Sequence, residues 1–476
     1  VPENRANLAW DVLLDVAGQP PGALSARLTG ALRSAIRAGR VVAGSLLPPS
    51  RLLAAELGCS RWTVTEAYQQ LVAEGYLEAH VGSGTRVVWR EGHTRDAVRG
   101  VPVRRPPADR PRIDLSPGLP DLRAFPRDRW LAALRTAAAA LPYQQLGYPA
   151  PGGEQQLREI LADYLYRVRG AVVRPEDLVI CGGVTDAVTR LSAVARAAGL
   201  GAIAMEDPGW PRLRAVVASS GLRLVPVAVD EYGLRVDDLE REPDVRLVVV
   251  SPAHQFPNGS VLAPQRRARL LEWARRVDGL VVEDDYDAEF RYDRRPVGTL
   301  QGADPDRVAL AGSLSKTLSP ALGIGWIATP PRWTPALRDL RPPGPGVLDQ
   351  LAFAEFLSSG GYDRHLRATR KRYRDRRDAL VEALAERLPG WTVSGAAAGL
   401  HLLLDAPLAG DGGGPNSRDV VRRAAAAGLE VGSAREYRVH NGALDPALVL
   451  GYGNLRDSEV TTAVDLLAAV LASASG

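Results

Sequence analysis

Apolar residues in the first ninety positions recur at helical spacing. Leu24, Leu28, Leu32 and Ile36 return every four residues and lay one apolar stripe on a helix, and Gly39 and Gly44 punctuate its exit. A second helix is expected after Pro49, with Ser50 as its cap, ending at Leu57-Gly58. Ser60 caps a third, whose Val64, Ala67 and Leu71 face inward and which Gly75 ends. From Tyr76 to His80 and from Thr85 to Val88 the pattern becomes that of strands, turned by Val81-Gly82-Ser83-Gly84. Residues 1–89 thus read as three helices followed by a two-stranded wing.

Between Arg90 and Arg112 the periodicity lapses. Pro102, Pro106, Pro107 and Pro111, interspersed with arginines, mark residues 90–112 as an exposed linker. From Ile113 onward, short unbroken β-branched runs alternate with helical patterns. Strands are expected at Leu178–Cys181, Ala202–Met205, Leu222–Val227, Arg246–Val250, Leu280–Glu283, Val308–Ala311 and Ile324–Ala328. Helices such as Gln155–Arg167 and Pro264–Arg276 separate several of them. The alternation predicts an α/β domain with a mostly parallel sheet over residues 113–476, its last part, from about 350, forming a smaller α+β subdomain.

Composition narrows the function classes. At 476 residues the chain exceeds what one hydrophobic core supports, in keeping with two domains. No apolar run approaches the roughly 18 residues of a membrane span and no secretory leader pattern is seen, so a cytoplasmic protein is expected. Two cysteines, Cys59 and Cys181, exclude a disulfide scaffold and a thiolate-rich metal site. The six histidines show no metal-ligand spacing, so no metal is expected. Positive charge is uneven: residues 1–112 hold 15 arginines against 10 acidic residues, whereas the remainder holds 44 basic against 45 acidic. The first quarter therefore suits a polyanionic partner.

Lysine usage adds a second clue. Of 59 basic residues only Lys316 and Lys371 are lysines. Arginine replaces lysine wherever a solvated charge suffices, but not where an amine must lose its proton and bond to a carbonyl carbon. Lys371 sits in the basic run Arg364–Arg377, which reads as a solvated helix face, with contact to DNA or to a bound phosphate as the alternatives. Lys316 stands apart from such a run.

The third helix opens with Ser60-Arg61-Trp62-Thr63-Val64-Thr65, and its first turn is expected to present Arg61, Thr63 and Thr65 outward. A recognition helix reads base edges with these N-terminal residues, while Arg51 in the preceding helix grips phosphate and the Gly82 turn approaches a groove. The stretch 47–51 (Leu-Pro-Pro-Ser-Arg), Leu53 to Gly58, Ala67-Tyr68, Ala73-Glu74-Gly75-Tyr76-Leu77 and Gly82-Ser83-Gly84-Thr85 resembles the winged helix-turn-helix of GntR-type bacterial regulators across residues 21–88. The resemblance implies DNA contacts from Arg51, Ser60, Arg61, Thr63, Thr65 and Gly82, with Trp62 unusual at its place.

Four further pieces fall at expected strand ends. Lys316 lies in Gly312-Ser313-Leu314-Ser315-Lys316-Thr317, among hydroxyl residues suited to a phosphate. A carboxylate of the run Glu283-Asp284-Asp285-Tyr286-Asp287-Ala288-Glu289 can pair with a protonated pyridine nitrogen, and Tyr286 can bond a phenolate. Gly182-Gly183-Val184-Thr185 joins strand to helix, where backbone N–H groups bind phosphate. Trp210 is placed to stack on a ring. Ligands bind at such strand ends in open α/β sheets.

This order, together with Gly118-Leu119-Pro120-Asp121, His254-Gln255-Phe256-Pro257, Ser315-Lys316-Thr317-Leu318 and Arg364-His365-Leu366-Arg367, resembles the MocR/GabR-type subfamily of GntR regulators over essentially the whole chain. In that subfamily the head is fused to a fold-type-I, pyridoxal-phosphate-binding, aminotransferase-like domain. The resemblance implies pyridoxal 5'-phosphate joined to Lys316 and contacted by Asp284, Tyr286, Trp210, Val184, Thr185, Ser313 and Ser315. It implies that Arg212 and Arg435 anchor an effector carboxylate, that the chain is a homodimer, and that it binds promoter DNA and senses an amino compound or the cofactor itself.

Three departures bear on this expectation. Gly323 stands seven residues after Lys316, where the family carries an arginine for the phosphate; losing one charge-assisted hydrogen bond costs about 1.5–3 kcal/mol of affinity on a generic scale. Phe256 replaces the asparagine that touches the ring oxygen in aminotransferases. Their substrate-carboxylate arginine would fall near Val449 and is absent. An active aminotransferase with an incidental DNA module, or a regulator with a decayed cofactor site, are the alternatives.

Overall fold

The computed structural model describes residues 10, 14–16, 18–80, 84–89, 113–292, 297–340, 343–395, 397–407, 416–439 and 447–474. Gly82 and the expected linker 90–112 lie outside them. The chain divides into two compact units, Val1–Ala108 and Asp109–Gly476.

In the first unit, α1 (Leu24–Arg37), β1 (Leu46–Leu47), α2 (Ser50–Glu56), α3 (Arg61–Ala73), β2 (Leu77–His80) and β3 (Gly84–Val87) follow one another. Most of the stripe read from the sequence is core: Leu28, Leu32, Ile36, Leu53, Val64, Ala67 and Leu71 are buried together, whereas Leu24, in the first turn of α1, is exposed. The wing has a third strand that periodicity missed, because β1 is only two residues long; the order is β1-β3-β2, all antiparallel. Ser60 caps α3 by accepting a hydrogen bond from the Thr63 amide at 3.1 Å. Ser50, expected as a cap, is instead the first residue of α2.

The second unit is built on an eight-stranded sheet. Its strands follow β4 (Ile113–Asp114) in the chain as β5 (Leu178–Cys181), β6 (Ala202–Asp207), β7 (Arg223–Asp230), β8 (Gly233–Leu234), β9 (Leu247–Val250), β10 (Leu280–Asp285), β11 (Val308–Ser313) and β12 (Gly325–Ala328). The spatial order is β5-β12-β11-β10-β9-β6-β7-β8, parallel from β11 to β7, with β12 antiparallel to both of its neighbours and β8 antiparallel to β7. Both faces are covered, which explains the unbroken apolar runs. On β12, Trp326 and Ala328 join one core and Ile327 the other; on β5, Ile180 faces the first core while Val179 and Cys181 face the second. Strands β6, β10 and β11 run past their expected ends. Glu206, Asp284, Asp285 and Ser313 continue them as buried polar residues, which hydropathy alone reads as loop.

The smaller layer holds β13 (Thr392–Ser394), β14 (His401–Asp405), β15 (Leu429–Glu430), β16 (Gly432–Ser433) and β17 (Leu448–Gly451). Four of these form an antiparallel sheet, β13-β14-β17-β16, while β15 pairs in parallel with β4 through Ile113 and Leu429. The smaller layer therefore recruits the start of the unit as well as its end. The expected boundary near residue 350 falls inside the helix Val347–Ser358, and that helix packs on the large layer, Phe356 lying edge-on to Trp130 with ring centres 6.1 Å apart. Among the described residues, no helix is long and apolar enough to cross a membrane.

Candidate functional site

The carboxyl ends of β5, β6, β10 and β11 open on a cavity of about 310 Å³. Lys316, Asp284, Tyr286, Trp210, Val184, Thr185, Ser313 and Ser315, eight residues singled out from sequence, all line it, and so does Arg212. They arrive from four strand ends, as ligand sites in doubly wound sheets are assembled.

One side of the cavity is built for an anion. After β5 the chain turns through Gly182-Gly183 into the helix α4 (Val184–Ala197), whose first N–H groups have no partners within the helix. Gly183 has φ +115°, and a Cβ there would stand 3.2 Å from the Ser313 hydroxyl, so glycine is needed for both reasons. Ser313 donates to the Ser315 hydroxyl at 2.8 Å and accepts from the Ser315 amide at 3.0 Å. Asp186, in the first turn of α4, is neutralised by Arg190 at 2.7 Å, leaving the helix end attractive to an external anion.

The opposite side is built for a base. Asp284 and Asp285 are adjacent and buried, yet differ in partners. Asp285 forms a bidentate pair with Arg169 at 2.8 and 2.9 Å. Asp284 Oδ1 is buried without a hydrogen-bond partner. Burial first, and then the neighbouring Asp287, Glu206 and Asp285, hold the Asp284 carboxyl well above the ordinary carboxylate range; Lys316 opposes them. A carboxyl in that position gains a partner from any ligand that presents a protonated ring nitrogen.

Lys316 lies half-buried between these halves. Its Nζ donates to the carbonyl oxygen of Gly118 and lies 5.8 Å from the centre of the Trp210 ring. Burial lowers its affinity for a proton and nearby Arg212 adds to that, while Asp287 and Asp284 oppose both. The net direction is down, toward the neutral amine a nucleophilic lysine needs. The Tyr286 hydroxyl is 3.2 Å from His254 Nδ1, and burial followed by the neighbouring Asp287 raises its phenol well above the usual range.

These residues fit pyridoxal phosphate. The orphaned Asp284 oxygen, the serine-lined helix terminus and the half-buried amine face one cavity of suitable chemistry. The described residues place no arginine of the lysine loop at the anion side: Gly323 closes a short turn with φ +57° and open space around it.

Further residues line the cavity or stand beside it. Gly118 comes from far upstream. Phe256 packs edge-on to Trp210, ring centres 4.9 Å apart, and also against Tyr437 and His401, making an aromatic wall where an asparagine would have been polar. Glu206 carries a carboxyl pushed up to about 8 by burial. His254, Asp287 and His401, distant in sequence, bring ligand-type atoms within 4.8 Å of one another, which spacing along the chain could not reveal. His254 Nδ1 is 2.8 Å from Asp287 Oδ2, and His401 Nε2 is 3.2 Å from the Pro257 carbonyl. Burial and then His254 hold the His401 imidazole well below its usual range. Arg435 does not line the cavity; it sits half-buried in the turn Ala434–Tyr437 with Nε lacking a partner.

On the first unit, Arg51, Ser60, Arg61 and Trp62 are exposed around the start of α3. The Arg61 Nε donates to the Ser50 hydroxyl at 3.3 Å, and the half-buried Thr65 hydroxyl to the Arg61 carbonyl at 2.9 Å. Thr63 departs from expectation. It is buried, because position 63 shares the inward face with Ala67, one turn on, and its hydroxyl is 2.8 Å from that of Ser60. Thr63 therefore supports the cap rather than facing a groove.

Comparison with known proteins agrees with both units. Residues 24–87 match the family of bacterial regulatory proteins, gntR family, and residues 112–419 match aminotransferase class I and II. The probable rhizopine catabolism regulatory protein MocR of Rhizobium meliloti is 36% identical over 78% of this chain and 79% of its own length. The HTH-type pyridoxine biosynthesis transcriptional regulator PdxR of Corynebacterium glutamicum is 33% identical over 91% and 93%. Among solved structures, the multiple substrate aminotransferase from Thermococcus profundus superposes with a TM-score of 0.68 at 24% identity, covering 76% of this chain and 91% of that one, which shows the shared fold. A gntR-type head, an aminotransferase class I and II unit and regulators alike over most of their length place the chain in one family: it is a MocR-type GntR transcriptional regulator, a DNA-binding head fused to an aminotransferase-like domain.

Proposed function

We propose that the aminotransferase-like unit binds pyridoxal phosphate at Lys316 and serves as a sensor, for an amino compound or for the cofactor itself, that controls binding of promoter DNA by the head. The observation that carries this reading is the buried, unpartnered Asp284 oxygen sharing one cavity with a half-buried lysine of lowered proton affinity. When bound, pyridoxal phosphate supplies an aldehyde carbon to which a primary amine can bond reversibly.

The chain's residues divide the work around that carbon. Asp284 holds a proton at the ring nitrogen. Val184 and Thr185, at the start of α4, and the Ser313 and Ser315 hydroxyls bind the phosphate. Tyr286 offers its hydroxyl to the ring oxygen, and Trp210 covers a ring face. Arg212, which lines the cavity, receives an effector carboxylate, whereas Arg435, outside the lining, is left out of the anchor. Displacing the Lys316 amine frees it from its site and shifts the balance between conformations that differ in DNA affinity. Val449, fully buried on β17, offers no charge for a substrate carboxylate, which favours sensing over turnover. The pyridoxine biosynthesis in the name of the Corynebacterium relative makes the vitamin one of the ligands to test.

A homodimer is part of the proposal. Tyr143, Leu146 and Tyr148 are 79%, 62% and 101% exposed in one stretch, an unusual apolar exposure that a second copy would cover. The DNA contacts proposed are Arg51, Arg61 and Thr65, with Ser60 holding the helix start.

A titration of the purified protein with pyridoxal phosphate, followed by absorbance, tests the cofactor. A long-wavelength band that appears with one equivalent and is lost in Lys316→Ala is expected; a protein that gains no such band refutes the reading. Candidate amines should then change the spectrum stoichiometrically and alter operator affinity without forming keto acid. Sustained keto-acid production would establish an aminotransferase instead.

A further inference from the structure

The helix Gly361–Arg387 carries eight arginines or lysines between Arg364 and Arg377. Its inward face is occupied: Tyr362, His365, Leu366, Thr369 and Tyr373 are buried, and the buried Arg376 is held by Asp121 at 3.0 Å and Asp457 at 2.7 Å. Outward, positions 364, 367 and 371 follow one another at three- and four-residue steps, and Arg364, Arg367, Lys371 and Arg372 are exposed. Acidic compensation there is thin. Lys371 meets Asp375 at 2.6 Å, an exposed pair of little worth. Arg364 gives its hydrogen bond to the neutral Ser359 carbonyl. Arg367 has no ion pair among the described residues.

The basic ground continues onto a second element. Arg123 Nε lies 3.0 Å from Asp121, the same carboxylate that Arg372 approaches at 3.8 Å and Arg376 holds. One buried acid thus serves three arginines. Arg127 and Arg129 begin the helix Arg127–Ala140, exposed and without an ion pair among the described residues. Arg129 and Arg372 both act electrostatically on the buried His365, so the two elements adjoin. This concentration does not follow from the unit's overall charge, since residues 113–476 hold 44 basic against 45 acidic residues.

We propose that this face, made by Arg123, Arg127, Arg129, Arg367, Lys371 and Arg372, is a second nucleic-acid surface that binds the phosphate backbone of duplex DNA. Open, exposed arginines along a helix suit a line of phosphates, whereas a single small anion would call for an enclosed site with a buried cation. The interactions are with the DNA backbone, and they lengthen and strengthen binding without adding sequence preference.

The test uses the full-length protein and its operator duplex. Arg127→Gln, Arg129→Gln and Arg367→Gln are combined, and affinity is measured against salt concentration. The logarithmic slope should become shallower by about 2 to 3, at about 0.9 for each phosphate that is no longer neutralised, with affinity down at least tenfold in low salt and the preference between operator and random DNA unchanged. Unchanged slope and affinity, in a variant whose melting temperature and molecular mass match the parent, would overturn the proposal. A changed molecular mass would also overturn it, by assigning the face to contact with a second copy.

Discussion

Lys316 Nζ donates to the carbonyl oxygen of Gly118, a residue 198 positions earlier in the chain. The arrangement leaves no room for a side chain at 118: a Cβ there would lie 3.3 Å from Nζ and 3.3 Å from the Trp210 ring, and φ is +100°. Gly118→Ala should therefore cost about 1–3 kcal/mol through backbone strain and push the amine from its place. Denaturant unfolding should show the loss, and the absorbance response to pyridoxal phosphate should weaken by more than the stability change explains. An alanine variant that binds as tightly as the parent would show that the lysine does not depend on this hydrogen bond.

Asp284 and Asp285 allow a second test, because adjacent carboxylates of the same burial do opposite things. Asp285→Asn leaves Arg169 buried without its counter-charge and should destabilise by about 3–5 kcal/mol. Asp284→Asn relieves a crowded acid that has no partner at Oδ1, so the ligand-free protein should be at least as stable as the parent. The same substitution should weaken pyridoxal phosphate binding at least tenfold. Urea midpoints and a cofactor titration on both variants separate the roles; equal destabilisation by the two would contradict this division.

Burial of acids also sets a pH dependence. Glu206 is pushed up to about 8, and Asp284 stands well above the usual range, so the folded protein binds more protons than the unfolded chain and loses stability as pH rises. His365 and His401, both held below their usual range, work the other way, but their contribution is complete once the unfolded imidazoles have lost their protons near pH 7. Lys316, also lowered, opposes the loss above that, while Glu283 and Glu289, each pushed up to about 7 chiefly by burial, add to it. Between pH 7 and 9 the ligand-free protein should therefore grow less stable, and Glu206→Gln should flatten that decline. A melting temperature that rises across this interval, or a decline that Glu206→Gln leaves intact, would count against the assignment.

What the sequence reveals depends on how each residue reaches its place. Lys316, Asp284, Tyr286 and Ser313 were legible because each follows an apolar strand and strand ends of such sheets converge. The hydrogen bond from Lys316 to Gly118, the buried acid Glu206 and the approach of Asp287 and His401 to His254 were not, since they arise from crossovers and from the smaller layer folding over the cavity. Thr63 shows the same limit at short range. Alternation along the first turn of α3 pointed it outward, yet its place one turn before Ala67 buries it. Gly82 lies outside the described residues.

In the head, the cap and the charge proposed to contact DNA are separable. Ser60→Ala removes the acceptor for the Thr63 amide and should cost about 1 kcal/mol of stability, with a modest loss of DNA affinity that lower temperature restores. Arg61→Ala removes an exposed guanidinium bonded only to the Ser50 hydroxyl among the described residues. It should leave the melting temperature within about 1 °C, on the small scale typical of surface changes, and reduce operator affinity at least tenfold. Circular-dichroism melts beside binding isotherms distinguish the two, and an Arg61→Ala protein that binds its operator normally would remove that residue from the interface.

Gly323 stands where the resemblance read from the sequence implies an arginine for the phosphate. Restoring it is a direct test of how much binding the serines and the end of α4 provide unaided. Gly323→Arg must adopt φ near +57°, at a cost of about 1–2 kcal/mol for a residue with a side chain, but the space around the position is open. A charge-assisted hydrogen bond to phosphate returns about 1.5–3 kcal/mol. The variant should melt lower in the absence of ligand, bind pyridoxal phosphate roughly tenfold more tightly, and bind dephosphorylated pyridoxal no better than the parent. An equal gain for both compounds would place the new guanidinium elsewhere than on the phosphate, and no gain for either would mean that the anion side is already complete without it.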